Sequence, residues 1–189
     1  MDKAFISSAE RSLNDSTTRQ KLLNEYGIAT PDSESSDTAV ENVLHFAHDI
    51  GFYAPLISIA SGWPNKSYVF HFNEPNPWEG RFKGVAGHVL DVAFLYQNYN
   101  QFLDESQQGS AKAFGEHFID FVNGSEPFPT YISGEGGAMV YGAAGDVRQK
   151  FVKSNKSEDY KRRSTIFRLA EKSSLDKLSG VWDAFMGGQ

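Results

Sequence analysis

Residues 67–73 (SYVFHFN) are aromatic and β-branched, and residues 74–84 directly after them hold Pro75, Pro77, Gly80 and Gly84. The first run is short and bounded by turn formers, which predicts a strand. The second can continue neither strand nor helix. Proline has no N–H to give to a ladder and glycine loses too much entropy when held straight, so the segment must be a shaped loop. Residues 88–96 (HVLDVAFLY) turn apolar again and suit a helix or a second strand. This succession constrains the fold more than any other feature. It places His88 beyond the carboxyl end of a strand, the side on which α/β sheets bind their ligands.

Helical periodicity dominates the remainder. Residues 16–27 predict a short helix with Ser16 or Thr17 as its cap, Leu22, Leu23 and Tyr26 as its apolar face and Gly27 as its stop. Residues 28–38 carry turn formers and acids without a period, the mark of an exposed loop. Val40, Val43, Leu44 and Ala47 share one helix face. Ile50, Tyr53, Ala54 and Ile57 share the face of a second helix, with Asp49 as cap and Pro55 within its first turns or kinking it.

Residues 110–122 predict an amphipathic helix that buries Ala111, Phe114, Phe118, Phe121 and Val122 and stops at Asn123 and Gly124. Residues 128–145 read as short strands around the turn at 134–137, and residues 158–171 as a polar helix. A last helix opens at Ser173, paired with Asp176 in the manner of a capping box, and buries Leu175, Leu178, Val181, Trp182 and Phe185. The expected fold is α/β, with few strands and many helices, and residues 1–38 form an N-terminal helical and loop segment.

Composition narrows the partners. Against 18 Lys and Arg stand 24 Asp and Glu, a net charge of −6 that opposes binding to a phosphate backbone. Continuous apolar runs fall far short of the ~18 residues of a spanning helix. The N-terminus lacks the apolar core and cleavage pattern of a secretory signal. Neither nucleic acid nor a membrane span is therefore expected. The chain has no cysteine, so disulfides and thiolate chemistry are excluded. Four N-x-S/T sequons, at Asn14, Asn65, Asn123 and Asn155, fit a secretory history and leave the compartment open.

Five histidines supply the groups that titrate near neutrality. His45 and His48 are spaced to share a metal on one helix face, but no third ligand is obvious nearby and the Glu of an H-E-x-x-H motif is missing. They read as surface residues, and no metal or other cofactor is expected. His71 lies mid-strand between Phe70 and Phe72 as a sheet residue, and His117 falls on the polar, solvated side of its helix. Lys161, Arg162 and Arg163 read as a solvated face beside Glu158 and Asp159. His88 differs, because Gly84, Val85, Ala86 and Gly87 before it are small enough for a substrate to approach the ring. Trp78 shapes the loop that presents His88 and is the candidate substrate-binding residue.

Residues 68–102 resemble the C-terminal part of type-B carboxylesterases, the family of cholinesterases and of fungal lipases of that class, in a form closest to the fungal members. In that family a strand Y-x-[FY]-x-[FY] leads to an Asn-Pro-Trp-like loop, then a Trp/Phe-x-G-[VA] segment, then H-x-x-[DE]-[IVL]-x-[FY]-[VL]-[FY]. Trp78, Gly84, Val85, His88, Asp91, Val92, Phe94, Leu95 and Tyr96 stand at those positions, with Asp91 where cholinesterases have Glu. Residues 49–55 with Trp63 and Pro64 resemble the helix before that strand, and residues 110–124 and the final helix fit the family's order. The resemblance spans roughly residues 40–186 and makes 39–189 the C-terminal part of a carboxylesterase domain, an α/β-hydrolase fold with an incomplete sheet. It implies ester hydrolysis through a Ser–His–acid triad. His88 would take the serine's proton during attack on the ester carbonyl and return it to the leaving alcohol.

The family's chain order is serine, acid, histidine, with the serine on a G-x-S-x-G elbow. No such elbow occurs in these 189 residues, nor a glycine run for an oxyanion hole. Upstream of His88 no acid has the family's glycine-rich context; Glu10, Glu25, Glu41 and Asp49 suit helix surfaces and caps, and Asp91 is too local. The expectation is a fragment that carries one triad member and is inactive alone. The alternative is a non-catalytic esterase-like binding module or a degenerate gene product.

Overall fold

A computed structural model describes residues 2–28, 37–142, 149–153 and 163–188. In chain order the helices are α1 (Asp2–Ser12), α2 (Ser16–Glu25), α3 (Asp37–His48), α4 (Ala54–Gly62), α5 (Leu90–Tyr96), α6 (Glu105–Val122), α7 (Thr165–Ala170) and α8 (Leu175–Met186). The strands are β1 (Phe70–Phe72), β2 (Ala138–Tyr141) and β3 (Gln149–Val152). The fold is helix-rich α/β, as expected. Two compact units divide it: residues 1–59 with 158–189, and residues 60–157. Residue 39, the boundary expected from the sequence, lies inside the first unit.

The first unit is helical. Phe5, Ile6 and Ala9 form the buried stripe of α1, and Phe5 meets Phe46 and Phe185 edge-on at 5.2 and 5.7 Å, packing α1 against α3 and α8. The cap of α2 is Asp15 rather than Ser16 or Thr17. A carboxylate can accept from two donors, and this one takes the N–H groups of both Thr17 and Thr18. Together with the Thr18 hydroxyl, which contributes most, they hold the Asp15 carboxyl below the usual range. Leu22, Leu23 and Tyr26 are buried as expected, and Gly27 leaves the helix at φ +63°.

On α3 the buried residues are Val43 and Phe46, whereas Leu44 is 54% exposed, so the expected face is corrected by part of a turn. Asp49 caps nothing. The helix does not restart but runs through a π-turn, Asp49–Tyr53, in which the Ala54 N–H donates five residues back to Asp49. Pro55 therefore lies inside the joined helix, directly after the π-turn, and this widened turn is where the helix accommodates the N–H that proline lacks. Ile50, Tyr53, Ala54 and Ile57 are buried as the periodicity predicts. The joined helix also corrects the expectation from continuous apolar runs. Val40–Gly62 is, by length and composition, long and apolar enough to cross a membrane; His45, His48 and Asp49 interrupt the run without spoiling its average. A core helix with a buried face has the same length and composition.

The last helix is capped by Ser174, one residue after the expected Ser173, through the N–H of Lys177. Leu178 and Val181 are fully buried, and Leu175, Trp182 and Phe185 partly so. Within the expected loop at 28–38, residues 29–36 lie outside the described residues; within the expected polar helix, 158–162 do.

In the second unit β1 pairs parallel to β2, Phe70 opposite Met139 and Phe72 opposite Tyr141, and β2 pairs antiparallel to β3. The predicted strand at 67–73 shrinks to three residues. β3 (QKFV) holds Phe151 but is too short to show an alternating pattern. Leu90, Phe94, Leu103, Ala111, Phe114, Met139 and Tyr141 form the core, with α5 lying on α6. An Asp104–Gln107 capping box starts α6 earlier than expected. Of its predicted face only Ala111 and Phe114 are buried, while Phe118, Phe121 and Val122 are exposed. The strands are too short to cover the helix beyond its first turns.

Candidate active site

The loop after β1 is fixed at its root by residues far along the chain. The Asn73 N–H donates to the Tyr141 carbonyl at 2.7 Å, and the buried Gln107 side chain donates to the Pro75 carbonyl at 2.8 Å. Gly142 adopts φ +79°, and a Cβ there would run into the backbone of Asn73 and Glu74. Only glycine lets the end of β2 pass so close.

Beyond the root the loop closes on itself. The Asn76 N–H donates to Val85 O at 3.2 Å, and the Gly84 N–H to Asn76 O at 2.9 Å. The Asn76 side chain accepts the N–H of Trp78 at 2.9 Å, an Asx turn that aims the indole. Lys83 pairs with Glu79 on the outer surface. The chain then reaches His88 and enters α5 through Val89 at φ +67°. A β-branched residue in the left-handed region is strained, and such strain gathers at functional sites.

His88 is exposed and stands on the wall of a cavity of about 540 Å³. Asn76, Trp78, Phe82, Leu90, Ala93 and Tyr99 share that wall, and Trp78 meets Tyr99 edge-on at 5.6 Å. The two residues singled out in the sequence, His88 and Trp78, thus line one cavity. Its surface is mostly apolar, with an imidazole, an amide, a phenol and an indole N–H as its side-chain polar groups. No carboxylate among the described residues hydrogen-bonds the His88 ring, Asp91 included. The arrangement can hold an apolar molecule and offer it a proton acceptor or donor.

The other histidines fall elsewhere. His48 has Nδ1 3.3 Å from the buried Asp49 carboxylate, and among the described residues no three potential ligands converge to hold a metal. His71 is half-buried in β1 opposite Val140. His117 corrects the expectation of a solvated residue: its Nδ1 lies 2.6 Å from the Tyr141 hydroxyl and its ring meets Phe128 edge-on at 5.5 Å. Burial lowers its pKa. The signal was present, since His117 follows Phe114 by three residues on the same helical stripe. Gln107 and Gly142 carried weaker traces, a D-x-x-Q cap and a glycine just after an apolar run.

No protein-family model and no curated protein matches the chain.

Proposed function

We propose that this chain is the C-terminal part of a serine carboxylester hydrolase, with His88 as its general base and acid and Trp78 lining the substrate pocket. The observation that carries this reading is the position of His88: solvent-accessible, beyond the carboxyl end of β1, on the wall of a largely apolar cavity. The esterase-like pattern around residues 78–96 adds the reaction type. In that reaction the neutral imidazole accepts the serine proton as oxygen attacks the ester carbonyl. The imidazolium then protonates the departing alkoxide, and the cycle repeats with water. A carboxylate on the other ring nitrogen would fix the tautomer. The apolar wall suits the acyl or alcohol group of a neutral ester.

The test is the coding sequence upstream of residue 1. An in-frame G-x-S-x-G elbow, with esterase activity in the joined chain that falls by about 10⁴-fold or more in His88→Ala, is the expected result. An upstream sequence without an elbow, or a joined chain indifferent to His88→Ala, overturns the reading and leaves a binding module.

A further inference from the structure

A second cavity, of about 150 Å³, lies where α6 faces β1, β2 and the loop at 127–128, and shares no residue with the one beside His88. We propose that it binds a small molecule with a single aromatic ring and one hydrogen-bond acceptor oxygen, an aryl ketone or aryl ester in kind. The proposal does not depend on the esterase reading.

Size sets the first limit. An engineered cavity of about 150 Å³ lined by aliphatic and aromatic side chains stays dry and takes up benzene. This one is lined by aromatic rings, chiefly Tyr68, Phe70, Phe114, Phe128 and Tyr141, with His117 among them. The rings brace one another: Phe114 and Tyr141 centroids lie 4.7 Å apart, Tyr68 and Phe128 5.7 Å at 89°, and His117 and Phe128 5.5 Å at 73°. Walls held in pairs in this way keep the space open. They present ring faces and edges at which another ring gains edge-to-face contact beyond area burial.

His117 supplies the selectivity. Its Nδ1 is taken by the Tyr141 hydroxyl. At 2.6 Å the contact is shorter than an N–H···O bond and normal for a hydroxyl donor, so the phenol donates to Nδ1. Burial keeps the phenol protonated and the imidazole neutral, and the remaining hydrogen sits on Nε2. The polar group His117 still offers is therefore a donor, and its complement is an acceptor oxygen on the ligand.

Binding of 4-fluoroacetophenone and of its near-isostere 4-fluorocumene to the whole chain, followed by fluorine NMR, tests this. Both should bind saturably and shift the resonances of Tyr68, Phe128 and Tyr141. His117→Leu should lower the ketone-to-hydrocarbon affinity ratio about tenfold, the worth of one hydrogen bond. Phe118→Trp, at an exposed position on the cavity wall, should weaken both. No saturable binding, an unchanged ratio in His117→Leu, or binding indifferent to Phe118→Trp overturns the proposal. Should His117→Leu fail to fold, resonance shifts in the unaltered chain that lie away from those three rings overturn it equally.

Discussion

The hydroxyl of Tyr141 and Nδ1 of His117 lie 2.6 Å apart and join the end of β2 to the middle of α6. Burial holds the imidazole below its ordinary value of 6.5, with Asp120 and Glu116 on its own helix pulling weakly the other way and Tyr141 facing it from β2. The folded chain therefore binds a proton at His117 less readily than the unfolded chain. Stability from this group is complete above pH 6.5 and is lost as pH falls from there through the lowered folded value. Urea unfolding between pH 5 and 8 should show a slope that His117→Gln flattens; an unchanged slope refutes the assignment.

Tyr26 donates to the fully buried carboxylate of Asp49 at 3.0 Å. Tyr26→Phe keeps the ring and its edge-on contact with Phe46 but removes that donor. Hydrogen bonds to charged groups are worth ~1.5–3 kcal/mol, so a loss of about 2 kcal/mol is expected in the urea midpoint at constant slope. A loss below about 0.5 kcal/mol would show that the bond contributes little.

Gly142→Ala adds a methyl group where the backbone of Asn73 and Glu74 already lies, at a φ that alanine resists. A destabilisation of about 2 kcal/mol or more should follow. The Asn73 amide, bonded to Tyr141 O, should exchange its hydrogen faster. Unaltered exchange would mean that the loop root is held some other way.

Much of this was legible in the sequence. Periodicity placed Ile50, Tyr53, Ala54 and Ile57 inside, and the run from Tyr68 to Tyr96 gave the strand and the loop that follows it. What escaped was set by distant partners. Leu44 and Phe46 both suit a helix interior, and the rings of Phe5 on α1 and of Tyr26, packed on Phe46, decide between them. Phe118 and Phe121 read as core because their spacing is right, yet no strand reaches them. Asp49 looked like a cap because its tyrosine partner lies 23 residues away. Local pattern reports which groups want burial; the tertiary fold decides which obtain it.

The chain alone should hydrolyse a p-nitrophenyl ester no faster than free imidazole. His88 has no G-x-S-x-G serine in these 189 residues and no carboxylate bonded to its ring among the described ones. Turnover abolished by a serine-directed organophosphate would contradict this.

Exposed apolar side chains predict self-association. Phe52, Ile59 and Trp63 are 68%, 67% and 58% exposed, and Phe121 and Val122 add to the apolar surface of α6. Large apolar side chains left in water favour association where they adjoin one another. Light scattering should show mass that grows with concentration, and a sharp monomer peak with cooperative unfolding would count against it.

The root of the His88 loop is tied down by Gln107, Tyr141 and Gly142, all of which follow it in the chain. On a ribosome, residues 74–88 would therefore emerge before the residues that anchor their root, which would stay loose until β2 had been made. A message cut short ahead of the codon for Gln107 would release a polypeptide with its imidazole in place and the root of its loop unanchored.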